Sequence, residues 1–241
     1  MPQLVVPILI NLAITAVSFV AQKLLAKDNS ASSIDQGYEL SRKYAGDYPR
    51  EIAIGRTITG GSGSFDFNHG PENKFIYRIT IISDYQIHDF RRIWIDGDPA
   101  SLDGDPTLGY VNCSSHFVTE LDPDEKESKQ NLGPKMSVRI YKGLPGQTAD
   151  PELVANSNGM ITNSDTFTGM AYAIVKLEFE ASTFQGGEPT VAYEVHGAPV
   201  YDPRDNAQSK SDPSTWVYSD NSALCTAQAL RGWRGDANPL N

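Results

Sequence analysis

Between residues 48 and 202 apolar side chains tend to return at every second position, the period at which a strand turns one face to a core. In REIAIGRTITGGSGSFDF the run passes through Ile52, Ile54, Thr57 and Thr59, breaks at Gly60-Gly61, and resumes at Phe65 and Phe67. That pattern predicts a strand, a glycine turn or bulge, and a second strand. KFIYRITIISDYQIHDFRRIWIDGDPA places Phe75, Tyr77, Ile79 and Ile81 on one face and follows with Ile93, Trp94 and Ile95. The next dipeptide, Asp96-Gly97, signals a hairpin, because a type I′ turn needs positive φ at its central residues. Residues 98–137, rich in Pro, Asp, Gly and Lys, form an irregular excursion with one short strand candidate at Tyr110 and Val111 and room for a hairpin of its own. Strands follow in KMSVRIYKGLPG, GMAYAIVKLEFEASTF and TVAYEVHGAPVYDP. No repeat of solenoid or propeller length occurs, so residues 48–202 are expected to form a mainly β domain, an antiparallel barrel or sandwich.

The two ends follow other rules. Residues 1–28 are an expected helix whose apolar run, Leu4 to Ala26, meets no charge before Lys23. Its length suits a membrane span, although Pro7 and Asn11 interrupt it and no basic residue precedes it as in a signal peptide. Lys23 and Lys27 would hold the following chain on the cytoplasmic side if the run inserted, and an all-round apolar helix otherwise needs protein around it. A polar linker, 29–47, separates it from the β domain. Residues 203–241 predict a polar loop, a lone strand at TWVYS, and a helix capped by Asp220 or Asn221. That helix carries an apolar stripe of Ala223, Leu224, Ala227 and Leu230 and stops near Gly232.

Composition narrows the function. Twenty Lys and Arg against thirty Asp and Glu give a formal charge of −10, which argues against a surface built to hold nucleic acid by neutralising phosphates. The same balance suits a wall that DNA slides past. Two cysteines, Cys113 and Cys225, fit one disulfide or two buried thiols equally well.

A search for chemistry returns no catalytic, cofactor-binding or metal-ligating set. No two of His69, His88, His116 and His196 stand at metal-ligand spacing. Asp96, Asp98, Asp103 and Asp105 depart from the calcium-loop pattern and are explained by tandem Asp-Gly turns. Gly60 to Ser64 lacks the lysine and the helix of a phosphate-binding loop. Glu178 and Glu180 share a strand face and fit an exposed edge; Arg234 to Asp236 spells a short tripeptide without further support. Trp94, Trp216 and Trp233 could form a carbohydrate platform but fall on separate elements, where core or interface is the simpler role. The chain is therefore expected not to be an enzyme.

Two stretches resemble a known family, the phage tail-tip or baseplate hub proteins related to the host-specificity protein J of lambdoid phages. PREIAIGRTITGGSGSFDF with NKFIYRITIISDYQIHDFRRIWIDGDPA is similar to that family's Arg, Gly, Gly-Gly strand pair and its next hairpin with a short acidic turn. GAPVYDPRDNAQSKSDPSTWVYSDNSALCTAQALRG resembles its G-x-x-V-Y-D-P-R segment, Trp strand and Ser-Asp-Asn-x-Ala-Leu helix start, with Ser222 where the family more usually has Pro. The resemblance implies a tail-tube-like hub domain in a homotrimeric ring at the tail tip of a virion. Implied partners are the distal tail or tail tube protein, the tape-measure protein, other tail-tip proteins and the host envelope, with DNA only in transit. The family tends to carry an apolar segment near its N-terminus, here matched by the run from Leu4, which would bundle inside the ring or meet the tape-measure protein. Two other readings stand beside it: a membrane-anchored β module recognising a glycan or protein, with residues 4–22 in the bilayer, and a hydrolase using Asp or Glu.

Overall fold

One strand buried on both faces explains the architecture. Ala171–Glu178 has apolar side chains at nearly every position because both of its faces are covered. Ala171, Ala173, Val175 and Leu177 face one cluster, while Tyr172 and Ile174 face another. A strand buried on one side only would have alternated with polar residues.

The computed structural model describes residues 51–114, 117–120, 128–131, 135–179 and 188–232. The strands, in chain order, are β1 (Arg56–Thr59), β2 (Ser62–His69), β3 (Phe75–Ser83), β4 (Asp89–Ile95), β5 (Asp98–Ala100), β6 (Val111–Asn112), β7 (Phe117–Glu120), β8 (Ser128–Asn131), β9 (Met136–Tyr141), β10 (Ala171–Glu178) and β11 (Val191–His196). Two helices lie among the described residues, α1 (Pro151–Asn156) and α2 (Ser222–Arg231), with short 3-10 turns at Pro71–Asn73 and Pro213–Thr215. Five strands form one antiparallel sheet in the order β2-β3-β10-β9-β6, four form another in the order β1-β11-β4-β5, and β7 and β8 pair as a hairpin.

The two larger sheets pack face to face as a sandwich. Ile93, Ile95, Tyr193 and Val195 of the four-stranded sheet share one core with Val138, Ile140, Ala173 and Val175 of the five-stranded sheet. Leu102 bridges Cys113, so the chain leaving β5 links the four-stranded sheet to the β6 side of the other. Among the described residues the architecture is a sandwich with no closed barrel.

Local sequence explains the joints. Asp96 and Gly97 have φ of 51° and 90°, the positive values that the β4–β5 turn requires. Gly60-Gly61 joins β1 to β2 but sends them to different sheets. Gly61 has φ 78°, and a Cβ there would lie 2.3 Å from the Thr80 methyl and 2.7 Å from the Ile81 carbonyl. The expected edge position of Glu178 is corrected: β10 is the central strand of its sheet, and the Glu178 carboxylate meets Lys74 at 2.6 Å and Lys135 at 3.5 Å. Strand pairing, set by contacts between residues far apart in sequence, decides which strand is an edge.

Candidate functional site

The second of the two motif-bearing segments folds as an arm on the end of the sandwich. It leaves β11 through Gly197, and Ala198 and Val200 are fully buried. Asp202 then closes a tight turn on Arg204: the guanidinium donates through Nε at 2.9 Å and Nη2 at 2.7 Å, and the Arg204 amide donates to the same carboxylate at 2.9 Å. These bonds hold the Asp202 carboxyl down at about 2. Gln208 ties the loop together, accepting from the Asp202 amide at 2.9 Å and donating to Asp205 at 3.2 Å. The Tyr-Asp-Pro-Arg run is thus a self-contained turn, with Arg204 exposed over its own partner.

The lone strand expected at TWVYS is replaced by a 3-10 turn and a single bridge between Val200 and Val217. Asp212 caps that turn, and Pro213 at its first position has no amide to give to a ladder. The Trp216 indole instead donates back to the Ser209 carbonyl at 2.8 Å, and its ring lies 6.4 Å from Tyr201. Removing that donor in Trp216→Phe is expected to cost about 1 kcal/mol, read as a lower urea midpoint with unchanged slope.

Asn221 is the N-cap of α2, accepting from the Ala223 and Leu224 amides at 3.0 and 3.3 Å, and Gly232 ends the helix with φ 75°. The stripe expected along this helix is only partly buried. Leu224 and Gln228, four residues apart, turn inward, whereas Leu230 is 85% exposed. Gln228 is inward because it serves as a connector: it accepts from the Tyr201 amide at 3.4 Å and donates to the Gly232 carbonyl at 3.1 Å. A hydrophobicity pattern cannot register a buried glutamine of this kind.

Most of the other singled-out residues stay apart. His69 closes β2, while His88 and His196 come together against Tyr218 of the arm. Asp96 accepts from the Thr190 amide at 2.8 Å, and Asp105 accepts from the Thr107 hydroxyl and amide, which hold its carboxyl below the usual range. Among the described residues no three His, Cys, Asp or Glu side chains gather as metal ligands. Cys113 lies in the core and the Cys225 thiol donates to the Ser219 carbonyl at 3.4 Å, with no disulfide between them. Trp94 donates to Glu194 at 3.4 Å on the outer face of the four-stranded sheet. Arg56 grips the same carboxylate at 2.8 and 2.5 Å; burial is the largest single influence and would raise the Glu194 pKa, but Arg56, Trp94 and Arg92 together hold it below the usual value. The apolar run from Leu4, the linker, His116, Glu180, Trp233 and the Arg234 tripeptide lie outside the described residues. Among the described residues no helix is long and apolar enough to cross a membrane.

Two polar clusters escaped the sequence reading. The outer face of the five-stranded sheet carries Phe67, Tyr77, Ile79, Tyr172 and Ile174, and α1 covers it through Leu153. Asp150 caps α1 and also accepts from the Tyr110 and Tyr141 hydroxyls at 3.1 and 2.9 Å. Burial, with the Asp150 charge second, pushes the Tyr141 hydroxyl up to about 12. Beside it Glu152 binds the Tyr77 hydroxyl at 2.7 Å and pairs with Lys176. The signal available in sequence was Asp150-Pro151-Glu152, a cap residue, a proline at the first helical position and an acid in the first turn. These phenols are held as proton donors by carboxylates, an arrangement that anchors a helix.

No family model matches the chain, and no curated protein matches it. Solved structures were matched as well. A chain of "Virion of native gene transfer agent (GTA) particle" aligns with a TM-score of 0.40 and 15% identity, over 86% of this chain and 37% of that one. This chain therefore spans well under half the length of that relative.

Proposed function

We propose that this chain is a non-catalytic structural subunit of a virion, placed at the tail tip as one of three copies of a baseplate hub. In this role it joins the tail tube and frames the channel through which DNA leaves. The observation that carries the reading is the resemblance of residues 197–232 to the hub family's arm. The bonding of that segment agrees with a structural part: Asp202, Arg204, Gln208, Trp216 and Gln228 spend their polar atoms holding its shape. A net charge of −10 suits a channel wall that DNA passes without sticking. The apolar run from Leu4 would then meet the tape-measure protein or its own copies within the ring.

The test is the native and intact mass of the chain recovered from its source. Three copies in a ring or in a particle is the expected outcome. A monomer extracted only by detergent would overturn the hub and make the Leu4 run the anchor of a membrane-bound β module.

A further inference from the structure

The arm rests on the sandwich through three stacked rings. His196 is the last residue of β11, and its imidazole lies 4.3 Å from the Tyr218 ring at an interplanar angle of 16°. His88 lies 5.3 Å from the same ring at 15°, and the two imidazoles are 6.4 Å apart. The backbone holds the histidines in place, since the His88 amide donates to the His196 carbonyl at 2.9 Å and the Gly197 carbonyl at 3.0 Å. The Tyr218 hydroxyl is buried and has no hydrogen-bond partner among the described residues. The arm is therefore seated here by ring packing, without a hydrogen bond from that hydroxyl.

We propose that the His88–His196–Tyr218 stack is a proton-sensitive clasp: it seats residues 217–231 on the sandwich while the His196 imidazole is neutral and loosens them when that ring is charged. Histidine is the side chain whose ordinary titration falls in the mildly acidic range, so a switch built on it operates near physiological pH.

The charged groups around the clasp fix its direction. From β1 comes Arg56, from β4 come Asp89 and Arg91, from the chain after β9 comes Lys142, and from the arm come Asp220 and Cys225. Lys142 reaches the His88 carbonyl at 3.5 Å, and Arg91 pairs with Asp89 at 3.4 Å. Three permanent cations thus surround the rings against two carboxylates, and each new imidazolium adds to the excess. Burial is the first cause holding the His196 imidazole below its ordinary value; Arg91 follows, Asp89 works the other way, and His88 and Arg56 lower it further. The Tyr218 ring stacked on His196 supplies part of that burial and leaves with the arm, so seating is strongest above the ordinary imidazole value, about 6.5, and weakens as pH falls through the lower value of the seated ring.

Hydrogen exchange of the full chain at about pH 7.5 and about pH 5, corrected for the chemical pH dependence of exchange, tests the clasp. Peptides within 217–231 are expected to lose protection severalfold at the acidic pH while peptides of β10 keep theirs. His196→Phe, which preserves a ring but cannot charge, is expected to remove that difference. Equal protection of the arm at both pH values in the wild type, or an unchanged pH response in His196→Phe, would overturn the proposal. Should that variant fold poorly, a titration of the wild-type imidazoles by NMR decides: a His196 value at or above that of a free imidazole also overturns it.

Discussion

Replacing Gly197 by alanine is expected to cost about 3 kcal/mol or more and to unseat the arm. A Cβ at this position would lie 2.3 Å from the Ala53 carbonyl oxygen, 2.4 Å from its carbon and 2.6 Å from the Ile54 amide nitrogen. All three neighbours are backbone, so no side chain can rotate away. The backbones approach this closely because Gly197 donates to the Gly55 carbonyl at 2.7 Å and Ala198 to the Ala53 carbonyl at 2.7 Å. Separating the strands to admit a methyl group would break both bonds and disturb the His88 amide that binds the Gly197 carbonyl. For a chain of this size the loss corresponds to a fall in Tm of about 6–12 °C, measurable by calorimetry. Gly146→Ala is the control for glycine content, since no atom lies within 4 Å of a Cβ there, although its φ of 80° still carries a smaller conformational cost.

Asp150→Ala is expected to be similarly costly, by a different mechanism. The carboxylate is 2% exposed and accepts from the Leu153 amide at 2.8 Å and from the Tyr110 and Tyr141 hydroxyls. Loss of a helix cap costs about 1 kcal/mol, and each buried donor left without a partner adds about 1–3. A total of about 3–7 kcal/mol follows, read from urea unfolding. Asp150→Asn keeps one acceptor oxygen and should lose clearly less than alanine. Equal losses for the two variants would show that the side-chain oxygen is not what holds α1 over the aromatic face.

The β character of the body was legible because alternation is a local signal. Phe75, Tyr77, Ile79 and Ile81 do share the outer face of β3, and Asp96-Gly97 does make the β4–β5 turn. The choice between sandwich and barrel was not legible, because it depends on which strands pair: β1 and β2 are neighbours in sequence yet lie in different sheets. The Trp216 segment misled for a related reason. Its aromatic and β-branched residues favour a strand, but Asp212-Pro213 supplies a cap and removes a donor, and local turn chemistry wins. Gln228 and Glu194 are polar residues at buried positions, and their partners, Tyr201 and Arg56, are distant in sequence. In the candidate site the turn-forming residues could be read in advance, whereas the pairing of His88 with His196 required the β4–β11 register.

The close approach of Gly55 to the arm has a mechanical consequence. A Cβ on Gly55 would sit 3.4 Å from the Cys225 sulfur and 3.8 Å from the Asp220 Cα, so the start of β1 and the first turns of α2 occupy one corner of the body. A pull applied through the chain before Gly55 and after Cys225 therefore runs across that corner. It loads β1, the end of β11 and the ring stack, and reaches the β10-centred sheet at the end of β3, where the Glu51 carbonyl accepts from the Asp84 amide at 2.8 Å and the Ala53 amide donates to the Ser83 hydroxyl at 3.2 Å. Tension entering before Gly55 is therefore divided between the two sheets, and the corner where β1, the end of β11 and α2 meet carries the share that reaches the arm.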